Sequence, residues 1–193
     1  MADSPLIEAA KRWVIGKYTY NNFHLVRALE WLDRLAPGSS EAARLATLTH
    51  DMERAFPGPD QPVMTALDDP AYMVLHSERS ARIVGAWLRE NGADEDLARG
   101  VERLIEFHEF GGWPEANLVQ AADSLSFLDV NVDLFLNMAR SGKRTIRDVR
   151  NKFDYSYDRI QVPEAKALAL PMLEKANEKL AALEAELAGA ARQ

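Results

Sequence analysis

The stretch "LATLTHDMERAF", residues 45–56, resembles an amphipathic helix until its centre, where His50 and Asp51 interrupt an Ala/Leu-rich pattern. A carboxylate placed inside an apolar helix face is costly unless a partner compensates its charge. Imidazoles and carboxylates are also the side chains that borderline divalent metals prefer. The two residues therefore raise the question of which partner makes this position tolerable.

Composition restricts the classes of protein to consider. The 193 residues suit one domain with a sizeable core, and the formal charge of −7 argues against general nucleic-acid binding or attraction to an anionic membrane. It leaves room for a small basic pocket that takes a phosphate. Because the chain has no cysteine, disulfides, thiolate nucleophiles and cysteine zinc sites are excluded.

The first 18 residues, "MADSPLIEAAKRWVIGKY", lack the apolar core and small-residue cleavage site of a signal peptide. No stretch approaches the roughly 18–20 apolar residues that a membrane span needs. We therefore expect a soluble cytoplasmic protein with no membrane partner.

Helix patterns cover almost the whole chain, and alternating strand patterns are scarce, so the sequence predicts an all-α fold in one domain. Ser4, Ser39 or Ser40, and the proline of "DDP" at 68–70 are the start signals, and Gly92 is a stop signal. The last helix is expected to fray at "AGAARQ", 188–193. The expected helices cover about 4–15, 22–35, 41–56, 70–91, 94–110, 115–140, 145–160 and 163 onward.

Each of the four histidines falls in a different predicted helix, at spacings of 26, 26 and 32 residues. Asp123 lies among small and apolar residues in "LVQAADSLSFL", where a carboxylate needs a partner. These side chains can converge on one cavity and bind metal. The histidines are His24, His50, His76 and His108.

The ordered set His24, His50-Asp51, His76, His108 and Asp123 resembles the signature of the HD-domain superfamily of metal-dependent phosphohydrolases. The match covers about a hundred residues. The resemblance implies a compact HD-domain-like helical bundle over 1–193 with extra terminal helices. Its metal-site core would cover about 21–140, and C-terminal helices about 143–190.

Because the sequence has both His76 and His108, it resembles the two-metal branch of that superfamily. The resemblance implies that one ion is held by His24, His50, Asp51 and Asp123. Asp51 would bridge to a second ion, held by His76 and His108. Two divalent transition metals are thus expected, with iron or manganese favoured and cobalt, nickel or zinc as alternatives. A bound metal ion would be the partner that makes His50 and Asp51 tolerable in an apolar helix.

Three functions share this ligand set. The leading one is a phosphohydrolase in which a dinuclear metal centre activates water against a phosphate ester or anhydride, in a nucleotide or another small phosphorylated metabolite. The second is a mixed-valent di-iron oxygenase of the inositol-oxygenase-like branch. The third is a non-catalytic ligand-sensing domain. Arg54 and the short His108–Asp123 spacing favour hydrolysis, whereas Tyr18 and Tyr20 before the first ligand keep the oxygenase open.

The predicted catalytic residues are Asp51, which is also a predicted ligand, and Arg54. Arg54 follows Asp51 by three residues, and Arg79 follows His76 by three, so both suit phosphate binding, although each could instead make a surface ion pair. Trp113 of "HEFGGWP" could form a wall for a base, or it could be a core residue. The predicted substrate-binding residues are Arg54, Arg79, Trp113, Lys152 and Arg159.

Three acidic residues are candidate partners of the ligands or proton relays. They are Glu53, Glu106 and Glu109. The Ala/Leu-rich last helix packs either within the chain or against a second copy, which leaves a homodimer open.

Overall fold

The structure is a computed structural model that describes residues 3–64, 66 and 69–190. Within these ranges all regular structure is helical, and no residue is in a strand, which confirms the all-α prediction. The α-helices are α1 (Pro5–Lys17), α2 (Asn22–Leu35), α3 (Glu41–Thr49), α4 (Pro70–Glu90), α5 (Glu95–Glu106), α6 (Pro114–Ser126), α7 (Val132–Arg140), α8 (Ile146–Asp158) and α9 (Pro163–Ala190).

Several helices begin at the capping residues that the sequence predicts. Ser4 Oγ accepts a hydrogen bond from Ile7 N at 3.2 Å, and Ser40 Oγ accepts one from Ala43 N at 3.0 Å. Gly92 follows α4 with φ 86°, a backbone conformation that glycine adopts without strain. Asp68 of "DDP" and residues 191–193 of the expected frayed end lie outside the described residues.

Two predicted helix ends are wrong. We expected the helices to continue to 56 and 110, but α3 ends at Thr49 and α5 ends at Glu106. In both places a histidine follows and bonds to a carbonyl of the last turn: His50 Nδ1 lies 2.9 Å from Thr47 O, and His108 Nδ1 lies 2.7 Å from Ile105 O. Each histidine therefore caps the helix that precedes it.

The predicted helix over 115–140 is interrupted by a π-helical segment. Residues Phe127–Asn131 have π-helical hydrogen bonding and join α6 to α7. Insertions of this kind are frequent at functional sites, because the extra residue changes the direction in which neighbouring side chains point. Both ends of the segment contribute side chains to the cavity described below.

The short helix α3 is at the centre of the fold. Every residue from Ala43 to Thr49 is buried, and α3 packs against α1, α2, α5 and α6. The helices α4 and α5 pack together, while α9 covers α8 and α6. None of the described helices is both long and apolar enough to cross a membrane. The central position of α3 places its C-terminal end inside the bundle.

Candidate metal centre

The four histidines, which come from four different parts of the fold, meet in the interior. Their ring centroids form a chain: His24 to His50 is 5.5 Å, His50 to His108 is 4.8 Å, and His108 to His76 is 5.3 Å. All four side chains are buried. His24 lies in the first turn of α2 and His76 lies in α4, while the other two follow α3 and α5.

The Nδ1 atom of every one of these imidazoles has an acceptor. The Ser126 hydroxyl donates to His24 O at 2.7 Å, so its oxygen is free to accept from His24 Nδ1. The Nδ1 contacts are His24 to Ser126 Oγ at 2.9 Å, His50 to Thr47 O at 2.9 Å, His76 to Glu53 Oε1 at 3.1 Å and His108 to Ile105 O at 2.7 Å. Each Nδ1 therefore donates a proton to its acceptor, and Nε2 is the ring nitrogen left to face a metal ion, which would replace any proton there.

Two buried aspartates face these Nε2 atoms. Asp123 Oδ1 lies 3.1 Å from His24 Nε2 and 3.3 Å from His50 Nε2. Asp51 Oδ1 lies 3.1 Å from His76 Nε2. The residues that the sequence predicts as metal ligands are thus brought together, with Asp51 between the two ends of the histidine chain.

The donor set is suitable for a metal ion. Within the described part of the chain, the Nε2 atoms of His50, His76 and His108 are buried and make no hydrogen bond of good geometry. A buried imidazole nitrogen without a hydrogen bond is costly unless it binds a metal. Several buried groups could each hold an ion, with ligand atoms within 4.8 Å of one another: His24, His50 and Asp123; His50, Asp51 and His108; His76, His108 and Glu109.

Charge strongly perturbs the titration of these groups. Burial alone would lower the pKa of His50, but the carboxylates of Asp123 and Asp51 raise it to about 9. Burial and the neighbouring charge of His50 lower the pKa of His108 to about 3. Burial alone would raise the pKa of Asp51, but the Arg54 guanidinium together with His50 and His76 holds it well below its ordinary value. The centre therefore favours ionised carboxylates beside imidazoles.

A cavity of about 300 Å³ opens onto the centre. Asp51, Glu109 and Asp123 line its inner end, and Arg54, Lys152 and Arg159 of the predicted substrate-binding set also line it. Arg54 Nη1 lies 2.9 Å from Asp51 Oδ2. The other lining residues are Tyr18, Tyr20, Asn21, Glu53, Gln61, Met64, Tyr72, Phe127, Asn131, Leu134, Phe135, Met138 and Arg144.

Arg79 does not line this cavity, so its position does not support the predicted phosphate contact. Its Nη1 lies 2.9 Å from Glu53 O and 3.2 Å from Glu53 Oε2, and its Nη2 lies 2.8 Å from Phe56 O and 3.0 Å from Asp60 Oδ1. Arg79 therefore ties α4 to the loop after α3. The same contacts hold Glu53, a predicted partner of the ligands, whose Oε1 lies 3.1 Å from His76 Nδ1.

Trp113 does not line the cavity either. It is the N-cap residue of α6, and its ring packs at 5.2 Å against Phe107 and under Arg103 at 4.8 Å. Its alternative interpretation as a packing residue is the one that the structure supports. Glu106, another candidate partner, is exposed on α5.

Glu109, another predicted partner of the ligands, lies at the centre itself. Its carboxylate is buried, and Oε1 lies 3.7 Å from His108 Nε2. Arg159 contacts Glu109 Oε2 and, through Nη2, lies 2.6 Å from Asp123 Oδ2. The "HE" dipeptide is the sequence signal for this position, but a continuous helix would have pointed the two side chains about 100° apart.

Neither a protein-family model, nor a curated protein, nor a solved structure shows significant similarity to this chain. What the structure gives is an all-helical fold with several buried His, Asp and Glu groups positioned to bind metal, an arrangement compatible with an HD-like fold.

Proposed function

We propose that this protein is a metal-dependent phosphohydrolase of the two-metal HD type that acts on a small phosphorylated metabolite. The observation that carries the proposal is the shared orientation of the four imidazoles. Each is anchored through Nδ1 and directs Nε2 toward Asp51, Asp123 or Glu109 at the end of one cavity. Such preorganisation favours metal binding over a purely structural role.

His24, His50 and Asp123 would hold one ion, and Asp51 would connect it to a second ion at His76 and His108. Two divalent ions held in this way lower the pKa of a water molecule and act as Lewis acids on a phosphoryl oxygen. The chain itself must then bind the phosphate, orient it and stabilise the charge that develops as the bond to the leaving group breaks.

Arg54 is the best placed residue for this task. It lines the cavity, its side chain is one-third exposed, and Nη1 already contacts the Asp51 carboxylate at 2.9 Å. A guanidinium offers several donors in one plane, so Arg54 can keep its contact with Asp51 while it binds a phosphoryl oxygen.

Lys152 suits binding of a non-reacting anionic group. Its Nζ lies 5.3 Å from the Phe127 ring centroid and 5.1 Å from that of Tyr155, and no carboxylate within the described residues forms an ion pair with it. Burial lowers its pKa. Because this lysine makes no direct ion pair, an anionic group of the substrate could contact it and compensate its charge.

The cavity also supports a substrate with an apolar part. Phe127, Leu134, Phe135 and Met138 form an apolar side beside the charged inner end. A volume of about 300 Å³ lies at the lower end of the range for small-molecule sites. A base or another ring could pack against this side while the phosphate faces the metal centre.

The test is a phosphate-release assay with the purified protein, loaded with manganese, iron, cobalt or nickel, on nucleotides and aryl phosphate esters. The proposal predicts metal-dependent phosphate release that Asp51→Ala abolishes. Asp133→Ala, which alters an exposed aspartate on α7, is the matched control and should retain activity. Absence of release with every metal and ester class would contradict the proposal.

Tyr18 favours a second candidate, a di-iron oxygenase. Its hydroxyl is buried without a hydrogen-bond partner within the described residues, lines the cavity, and is close enough to Asp51 and Arg54 for their charges to act on it. By resemblance, some HD-type oxygenases use an upstream tyrosine at the iron. Oxygen consumption with a mixed-valent iron signal and no phosphate release would favour this candidate over hydrolysis.

A further inference from the structure

We infer that Glu109 is a third carboxylate ligand, which completes the second metal position together with His76 and His108. This inference rests on the metal centre of the proposed function and adds a ligand that the His-Asp signature does not include. It follows from a contact pattern that Glu109 shares with the two aspartates.

Each aspartate of the centre directs its two oxygens to different partners. Asp51 presents Oδ1 to His76 Nε2 at 3.1 Å and Oδ2 to Arg54 Nη1 at 2.9 Å. Asp123 presents Oδ1 to two imidazoles and Oδ2 to Arg159 Nη2 at 2.6 Å. In both cases a guanidinium fixes one oxygen, and the other oxygen faces the histidine chain.

Glu109 repeats this pattern. Its Oε2 is held by Arg159 Nη1 and lies 3.5 Å from the Tyr155 hydroxyl, while its Oε1 faces His108 Nε2 at 3.7 Å. A single guanidinium thus orients the Glu109 and Asp123 carboxylates at the same time. The oxygen that remains free on each carboxylate lies on the imidazole side.

The backbone at Glu109 is also fixed. Gln120 Nε2 donates to Glu109 O at 3.1 Å, and α5 has already ended at Glu106, so consecutive side chains no longer follow helical spacing. His108 and Glu109 can therefore both face the centre. The Nε2 atoms of His76 and His108, buried and without good hydrogen bonds within the described residues, complete the group.

A third carboxylate changes the chemistry of the centre. Two imidazoles, the Asp51 oxygen and a Glu109 oxygen would give the second ion four protein ligands and still leave positions for water and substrate in a six-coordinate ion. A six-coordinate ion with two imidazole and two carboxylate ligands suits manganese or iron better than zinc, which prefers four ligands. Arg159 is a positioning residue in this arrangement, since it orients two ligands without being one.

The experiment measures metal content and metal affinity and needs no activity. Wild-type protein, Glu109→Gln and the control Glu106→Gln, which changes an exposed residue of α5, are stripped of metal and titrated with manganese. We expect two ions per chain in wild type and Glu106→Gln. In Glu109→Gln we expect the second ion to bind on the order of 100-fold more weakly, with the first nearly unchanged.

If Glu109→Gln bound both ions with the same affinities as the wild type, the inference would be overturned while the metal centre would stand. Failure of wild type to bind any metal would instead contradict the centre itself, and the inference with it. Should Glu109→Gln not fold, a crystal structure of manganese-loaded wild type decides the matter: Glu109 Oε1 must coordinate an ion directly. A Glu109 that contacts only Arg159 in that crystal would overturn the inference.

Discussion

His76 Nε2 lies 3.1 Å from Asp51 Oδ1, and the opposite side of each residue is already engaged. Glu53 Oε1 lies 3.1 Å from His76 Nδ1, and Arg54 Nη1 lies 2.9 Å from Asp51 Oδ2. His76 Nε2 and Asp51 Oδ1, the two atoms without such a partner, are thereby held next to each other. A metal ion between them would have its ligands oriented in advance by residues that do not touch it.

Glu53→Gln should weaken metal binding, because His76 would lose the carboxylate that holds its Nδ1 proton. Loss of such a partner lowers metal affinity by about 10–100-fold. Asp60→Asn is the matched control, since Asp60 also pairs with Arg79 at 3.0 Å but makes no contact with His76. Isothermal titration with manganese measures both. Equal affinities in the two variants would contradict the role of Glu53.

Ser126→Ala should have a similar effect on the first ion. The Ser126 hydroxyl accepts from His24 Nδ1 at 2.9 Å and donates to His24 O at 2.7 Å, so its removal frees the ring to rotate. We expect roughly tenfold weaker binding of one ion. Ser141→Ala, at an exposed helix end, should bind both ions as wild type does. A wild-type titration curve for Ser126→Ala would contradict the prediction.

Substitution of Arg54 should mainly affect activity, whereas substitution of Arg79 should mainly affect stability. Arg54→Gln should lower the rate of phosphate release on the order of 100-fold, because Arg54 lines the cavity. In metal-loaded protein its effect on unfolding should be the smaller of the two, because the bound ions would also compensate the charge of Asp51. Arg79→Gln should lower the free energy of unfolding by about 3 kcal/mol, because it breaks a buried pair with Glu53. Phosphate release and denaturant titration measure the two effects. If instead Arg79→Gln lowered the rate of phosphate release and Arg54→Gln lowered the free energy of unfolding, Arg79 would be the phosphate contact.

Lys152→Met should raise KM for an anionic substrate about tenfold, with kcat nearly unchanged, because one charge-assisted contact is lost. Lys166→Met is the control. Lys166 also lies over a tyrosine ring, at 4.9 Å from Tyr157, but it does not line the cavity. Steady-state kinetics on the best ester from the panel gives both values. An unchanged KM in Lys152→Met would mean that the lysine makes no contact with substrate.

Acid should destabilise the metal-free protein, and Glu109 should account for part of the loss. Burial alone would raise the pKa of Glu109, but the positive charges of Arg159, His108 and Lys152 together lower it from 4.5 to about 2. A lowered carboxyl pKa contributes stability that is complete above the unfolded value and is lost as pH falls through the folded value. The free energy of unfolding should therefore fall between pH 4.5 and pH 2. Glu109→Gln should show a shallower fall over the same range in denaturant titrations.

The sequence predicts the helical fold well because capping residues and helical periodicity are local signals. Ser4, Ser40 and Pro70 mark starts that the structure reproduces. The ends of α3 and α5 could not be predicted in the same way. No glycine or proline marks them; instead, His50 and His108 bond to carbonyls of their own helices, and this choice depends on packing around the ring.

For the site, residue type and order predict the six candidate ligands, and the structure brings these side chains together in the interior. The substrate residues are harder to predict. Helical spacing after His76 made Arg79 a candidate for phosphate binding beside Arg54, but the partners of Arg79 are Glu53, Phe56 and Asp60, which lie about 20 residues or more before it in the sequence. Only the tertiary fold determines which arginine reaches the cavity.

Anomalous diffraction from crystals soaked in manganese shows whether the buried histidines and carboxylates bind two metal ions. We expect two peaks at the inner end of the cavity, one beside His24, His50 and Asp123 and one beside His76, His108 and Glu109, with Asp51 between them. Crystals with no peak at these residues, or with peaks only on the surface, would contradict two-metal binding.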